Sequence, residues 1–268
     1  MGSIVRLAVL GTLILALPLC AQTQTRILTG TEAANLFIYL GKPVHPFCLF
    51  FPFDSARWEP MELAKCTDER VAPHATDGWL TADYPSDGAP RLSGAYVSYR
   101  VLAKKGERFL VASDVSGGGS GKFTFLFWVQ LDAKQLTLVK DEAGSDRCAG
   151  RLSGYSADGG AIRFAKSVTT SDIVDLASPS LDRKVKDKLN DTPADCAGEI
   201  YYRYDLESEK MELSSLELNP EDKTAGADPQ GCFEELVQQY AKARKTTLTP
   251  DELKEFGRKF AATCIAPN

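Results

Sequence analysis

The chain has 268 residues, 44% of them hydrophobic, so it can bury the core of one large or two small domains and is not disordered throughout. Its 31 basic and 36 acidic residues give a net charge of −5, which argues against nucleic acid as a partner, because that affinity comes from clustered Lys and Arg neutralising phosphates.

Residues 1–21 read as a signal peptide. Arg6 supplies the positive start, Leu7 to Leu17 the apolar run, and cleavage is expected after Ala21. The run is shorter than the about 20 apolar residues that span a bilayer, and no later stretch replaces it. The expectation is a periplasmic or secreted protein without a membrane span after cleavage. A lipoprotein tethered through Cys20 is the minor alternative, since Leu19 stands where the bacterial lipoprotein signal wants a small residue.

Thr29 to Glu32 has the form of a capping box, and Ala33, Ala34, Leu36, Phe37 and Leu40 predict a short helix stopped by Gly41 and Pro43. From Val44 to Pro60 the composition turns to Pro and aromatics without a period. The expected reading is an irregular segment pinned by a disulfide whose aromatics fill gaps in the core, and the alternative is a recognition surface of Phe51, Phe53 and Trp58 together with Trp79. Met61 to Lys65 predicts a helical turn and Thr67 to Pro90 a loop.

Ala95 to Ala103 and Glu107 to Asp114 read as strands joined at Lys104-Lys105-Gly106. In the next stretch Phe123, Phe125, Phe127, Val129 and Leu131 fall at period two, which places them on one face of a strand. Leu126 and Trp128 lie on the other face, so this strand should be covered on both sides. Asp132 to Gln135 then turns the chain into an antiparallel partner at Leu136 to Val139. Arg151 to Ser153 and Gly160 to Val168 predict further strands, Ser171 to Ala177 a short helix, and Pro179 to Asn190 a charged helix or loop.

Glu199 to Leu206 and Met211 to Leu218 form a second hairpin, with Ile200, Tyr202 and Tyr204 on one face. Residues 219–231 carry Pro220, Gly226, Pro229 and Gly231 and read as a linker. Two helices close the chain, Cys232 to Arg244 and Pro250 to Thr263, the second opening on Thr249-Pro250-Asp251-Glu252. Their apolar stripes make them a natural cover for the Leu126 and Trp128 face.

Six cysteines remain after the leader: Cys48, Cys66, Cys148, Cys196, Cys232 and Cys264. An even count in an exported chain predicts disulfides, and sequential neighbours are the expected pairs. Cys232 and Cys264 stand at ends that a helical hairpin brings together.

The chemistry-bearing patterns are weak. Gly117 to Lys122 fails as a phosphate loop, because Ser116 stands where Gly is wanted and Phe123 where Ser or Thr is wanted, leaving a flexible turn. Only His45 and His74 could serve a zinc site or a nucleophilic triad, and each sits beside a proline in a predicted loop. Asp54, Glu59, Glu62, Asp83, Asp87 and Asp114 are available for carboxylate catalysis, but no spacing singles out a pair.

Taken together these features predict an α+β fold: an antiparallel β meander or partly closed sheet of about six to eight strands, flanked by short helices and a C-terminal helical hairpin. The β-rich domain should cover 22–218, residues 219–231 the linker, and 232–268 the hairpin packed on the sheet. The functional expectation is an exported, disulfide-stabilised, noncatalytic protein that binds or inhibits a protein or glycan of the cell envelope, without metal or other cofactor. The alternative is a periplasmic hydrolase using carboxylates, acting on glycans.

Overall fold

The computed structural model describes residues 25–28, 32, 35–50, 59–68, 71–84, 94–192, 194–220 and 228–265. The leader 1–21, most of the Thr29–Glu32 capping box and residues 221–227 of the linker lie outside them.

Along the chain come β1 (Thr25–Ile27), the small hairpin of β2 (Ile38–Tyr39) and β3 (Lys42–Pro43), β4 (Met61–Glu62) and the helical turn α1 (Leu63–Cys66). A hairpin of β5 (His74–Thr76) and β6 (Trp79–Asp83) follows. Next are the four long strands β7 (Ala95–Lys105), β8 (Arg108–Gly117), β9 (Phe123–Leu131) and β10 (Gln135–Asp146). These long strands form an antiparallel meander at the centre of an eight-stranded sheet, ordered β4-β10-β9-β8-β7-β6-β5 with β1 paired to β7, and curled as a half-barrel. A second antiparallel sheet contains β11 (Leu152–Asp158), β12 (Ala161–Val168), β13 (Gly198–Asp205), β14 (Lys210–Leu218) and β15 (Thr247–Leu248). The helices are α2 (Thr170–Ala177), α3 (Arg183–Lys186), α4 (Pro229–Lys242) and α5 (Pro250–Phe260).

Period-two alternation in the meander produces two cores. On one face Val101, Phe109, Val111, Phe127, Val129 and Leu138 pack against Phe37, Val44, Cys48, Leu49 and Leu63, so the irregular N-terminal segment fills the hollow of the half-barrel. Cys48–Cys66 closes that segment on itself. On the other face Leu102, Leu110, Ala112, Leu126 and Trp128 meet Leu152, Ile162, Phe164, Tyr204 and Leu206 of the second sheet. The central strand β9 is thus buried on both sides.

Its cover differs from the sequence expectation. The second sheet, not the helical hairpin, lies on Leu126 and Trp128. A buried indole N–H needs an acceptor, and Trp128 Nε1 donates to the Tyr204 hydroxyl at 2.8 Å. The stripes Phe233, Leu236, Val237 and Leu253, Phe256, Phe260 offer only carbon. They pack instead on Val168, Ile200, Leu216 and Leu218, at the other end of the same face of the second sheet. That sheet's opposite face is polar, with Arg163 and Arg203 both paired to Asp158.

Cys148–Cys196 joins the end of the first sheet to the start of β13, and Cys232–Cys264 joins the two C-terminal helices. The expected sequential pairing is therefore the pairing present. Thr249 caps α5 as its sequence predicts, in a reciprocal capping box with Glu252. The helix expected over Ala33 to Leu40 ends early: residues 35–36 are helical, but Ile38–Tyr39 pairs with Lys42–Pro43 around a turn at Leu40-Gly41.

Candidate binding site between the sheets

The face of the first sheet that meets the second is apolar at one end and polar at the other. On β8 it runs Leu110, Ala112, Asp114, Ser116, and on β7 Leu102, Arg100, Ser98, Tyr96, each pair being cross-strand neighbours or close to it. On β6 the same face carries Trp79, Thr81 and Asp83. Because alternate residues share a face, these polar side chains point the same way as the buried Leu110 and Leu126. They form a polar margin to the inter-sheet core.

The margin is closed by the strand that follows Cys148. Leu152 N–H donates to the Thr124 hydroxyl, which fixes Arg151 beside Asp114. Between Ser153 and Ser156 β11 bulges, with Gly154 at φ +65°, and the bulge re-aims Tyr155 into the interface. The Tyr155 ring lies 6.1 Å from Trp79 on one side and 6.1 Å from Phe164 on the other.

Tyr96 donates its hydroxyl to Asp114 Oδ1 at 3.0 Å, and the Thr81 and Ser98 hydroxyls meet at 2.7 Å. Burial pushes the Asp114 carboxyl above its ordinary value, against the opposing pull of the Tyr96 hydrogen bond and the charges of Arg151 and Lys122. Tyr96 is pushed up to about 12 by burial and then by the Asp114 charge. The Tyr155 phenol is raised for the same two reasons, and Arg151 opposes both shifts. Three buried donors in this margin, Arg100 Nε, Arg151 Nε and the Tyr155 hydroxyl, have no partner among the described residues. A buried polar group left unpaired costs about 1–3 kcal/mol.

Of the residues singled out in the sequence, Trp79 stands half-buried at the edge of this margin. Phe51, Phe53 and Trp58 lie outside the described residues, as do Asp54 and Asp87. His45 is a structural residue: it caps the turn at Pro46–Leu49, Nδ1 accepting from Phe47 N–H at 3.3 Å and Nε2 lying 3.2 Å from the Val71 carbonyl. His74 is exposed at 3.7 Å from Asp83, and Glu62 pairs with Lys65 at 3.0 Å. Among the described residues no three His, Cys, Asp or Glu side chains group as a metal site. A charged hollow beside α2 and α3 is lined by Asp175, Arg183, Lys186, Asp187 and Asp191, where Lys186 pairs with Asp175 at 2.6 Å and Arg183 lies 4.0 Å from Asp187.

Comparison with family models, with curated proteins and with solved structures finds no match. The site is therefore read from its own chemistry.

Sequence reasoning named Asp114 and Trp79 without joining them, and it passed over Tyr96, Arg100, Arg151 and Tyr155. Arg100 and Asp114 did carry a signal. Each is a charged residue at an inward position of its strand, next to an apolar residue of the inter-sheet core, Leu102 for Arg100 and Ala112 for Asp114.

Proposed function

We propose that this is an exported, disulfide-stabilised, noncatalytic protein that binds a partner of the cell envelope, and that the polar margin between the sheets is where it binds. Three disulfides are consistent with an oxidising, extracytoplasmic compartment. The observation that carries the binding reading is the set of buried donor atoms without a partner among the described residues, Arg100 Nε, Arg151 Nε and the Tyr155 hydroxyl, on one margin beside the half-buried Asp114. Buried donors are otherwise almost always satisfied, so such a set calls for a polar group from outside the chain, an ordered water or a ligand group that reaches the margin. The tilted Trp79–Tyr155 pair next to it supplies the apolar ring face that a sugar stacks on, which favours a glycan over a protein as the partner.

Binding of the purified protein to envelope glycan fragments, followed by calorimetry for the wild type and for Trp79→Ala and Arg151→Gln, tests this. Saturable binding that weakens about tenfold or more in either variant is the expected outcome. Glycan binding that is absent, or unchanged in both variants, rejects the reading.

One observation favours the hydrolase as the second reading: a carboxyl with its pKa raised by burial is the state a general acid needs. In that case the protein releases reducing ends from the glycan it binds, the boiled control does not, and Asp114→Asn abolishes the release. A protein indistinguishable from its boiled control removes the hydrolase.

A further inference from the structure

The seam between the two sheets treats its cations differently at its two ends. Near the β13–β14 turn each is matched by a carboxylate: Lys105 and Arg108 both pair with Glu209, and Lys140 pairs with Glu142 at 2.7 Å. Pairing of this kind is what a part-buried charge ordinarily requires.

The polar margin at the other end is built otherwise. Arg100 and Arg151 are half-buried there, and Lys122 acts on the same Asp114 carboxyl as Arg151 does. Lys166 follows Ile162 and Phe164 on the face of β12 that is turned to the first sheet, opposite Leu152 in the β11–β12 register. None of these cations forms an ion pair with a described residue. Two carboxyls stand near them. Asp83 is exposed at the rim, 3.7 Å from His74, and Asp114 accepts from Tyr96 while burial favours its neutral form. The margin is therefore locally positive in a chain whose net charge is −5.

The unpartnered atoms narrow the chemistry further. Arg100 Nε and Arg151 Nε can only donate, and the Tyr155 hydroxyl beside them has a proton to give. A sugar hydroxyl brings a proton of its own to such a contact. A carboxylate only accepts, and its two oxygens match the Nε–H and Nη–H edge of a guanidinium. Donors and positive charge together thus select an anionic acceptor, while the Trp79 and Tyr155 rings, 6.1 Å apart, offer a face to the ring that carries it.

We propose that the margin recognises an acidic glycan, a uronic acid or another carboxylate-bearing sugar, with the carboxylate on the Arg100, Arg151 and Tyr155 donors and the sugar ring against Trp79. This rests on the reading of the margin as a glycan site and adds the class of glycan. Inorganic phosphate satisfies the same donors but leaves the aromatic rings unused.

The test is calorimetric titration of the purified protein with two acidic probes, oligogalacturonate and an oligomer of glucuronic acid and N-acetylglucosamine, each beside the same oligomer with its carboxyls reduced to alcohols. At least one acidic probe should bind about tenfold or more tightly than its reduced form, with the preference shrinking as salt is added. Arg100→Gln should lower that ratio of affinities about tenfold and Tyr155→Phe severalfold. Tyr155→Phe keeps the ring and removes a buried unpartnered hydroxyl, so its melting temperature should hold or rise, which separates lost recognition from lost folding. Equal affinity for the acidic and reduced forms would mean that ordered water completes these donors, and would overturn the proposal while leaving the glycan reading in place. Phosphate binding as tightly as the acidic probes, or a preference that survives in both variants, would overturn it too. Binding to no glycan at all, neutral envelope fragments included, would remove the reading and the proposal together.

Discussion

Asp114 illustrates how one position can work against stability. Its carboxyl is held above its ordinary pKa by burial, despite the Tyr96 hydroxyl at 3.0 Å and the nearby Arg151 and Lys122. The sign of the consequence follows from proton linkage. A raised acid pKa means the folded chain holds the proton over a range where the unfolded chain has released it. Asp114 therefore contributes stability at pH values below its unfolded value of 3.8, and that contribution is lost as pH rises through the higher folded value. Asp114→Asn keeps an acceptor for Tyr96 and removes the buried charge. We expect its urea midpoint to equal or exceed that of wild type at pH 7, with the difference shrinking towards pH 3.8. A variant clearly less stable than wild type at pH 7 would mean that the Arg151 and Lys122 charges outweigh burial. Trp128 shows the opposite case, since its N–H, the Tyr204 hydroxyl and Glu142 form one satisfied chain across the two sheets.

At the scale of elements, legibility followed local chemistry. The two long hairpins were readable because alternation and turn residues agree in them, and the α5 capping box was readable because Thr249 and Glu252 satisfy each other locally. The β5–β6 hairpin was read as loop, since its strands are only three and five residues long and lie in a stretch rich in Asp, Pro, Gly and Thr. The signal it does carry is Asp77-Gly78, both at positive φ. Residues 38–40 form a strand and turn where a helix was expected, because an aliphatic run with a glycine behind it suits a helix end as well as a turn. Gly257 shows a constraint no pattern reveals. A Cβ there would sit 2.3 Å from the Ala177 carbonyl oxygen, so α5 lies directly on the end of α2. Gly to Ala ordinarily stabilises a helix interior by about 1 kcal/mol. Here the contact is with backbone and the helices must part, so we expect Gly257→Ala to destabilise by about 1–3 kcal/mol, the range of an overpacked core. Calorimetric melting of this variant measures it, and a raised melting temperature would contradict the packing of α2 on α5.

In the whole molecule, the second sheet uses one apolar face for two partners. Ile162, Phe164 and Tyr204 lie on the first sheet, Val168, Ile200, Leu216 and Leu218 lie beneath the helices, and Tyr202 touches both groups. The sequence placed Ile200, Tyr202 and Tyr204 on one face correctly, but it holds no local mark of which element covers which end. The choice is made by a long-range pairing, Trp128 with Tyr204, and by the 32-residue loop that Cys232–Cys264 closes. The helices and the inter-sheet core should then open as separate units. Removing Cys232–Cys264 with paired Ala substitutions should cost about 3–4 kcal/mol on the loop-entropy argument, and the loss should be local. Hydrogen exchange is expected to rise across α4, α5 and β15, while the amides of β7, β8 and β9 keep their protection, because the meander is buried by the N-terminal segment and the second sheet without help from the helices. Exchange that rises equally in β8 and α4 would mean that the two ends of the second sheet unfold as one, and that the helical hairpin is part of the same cooperative core as Trp128.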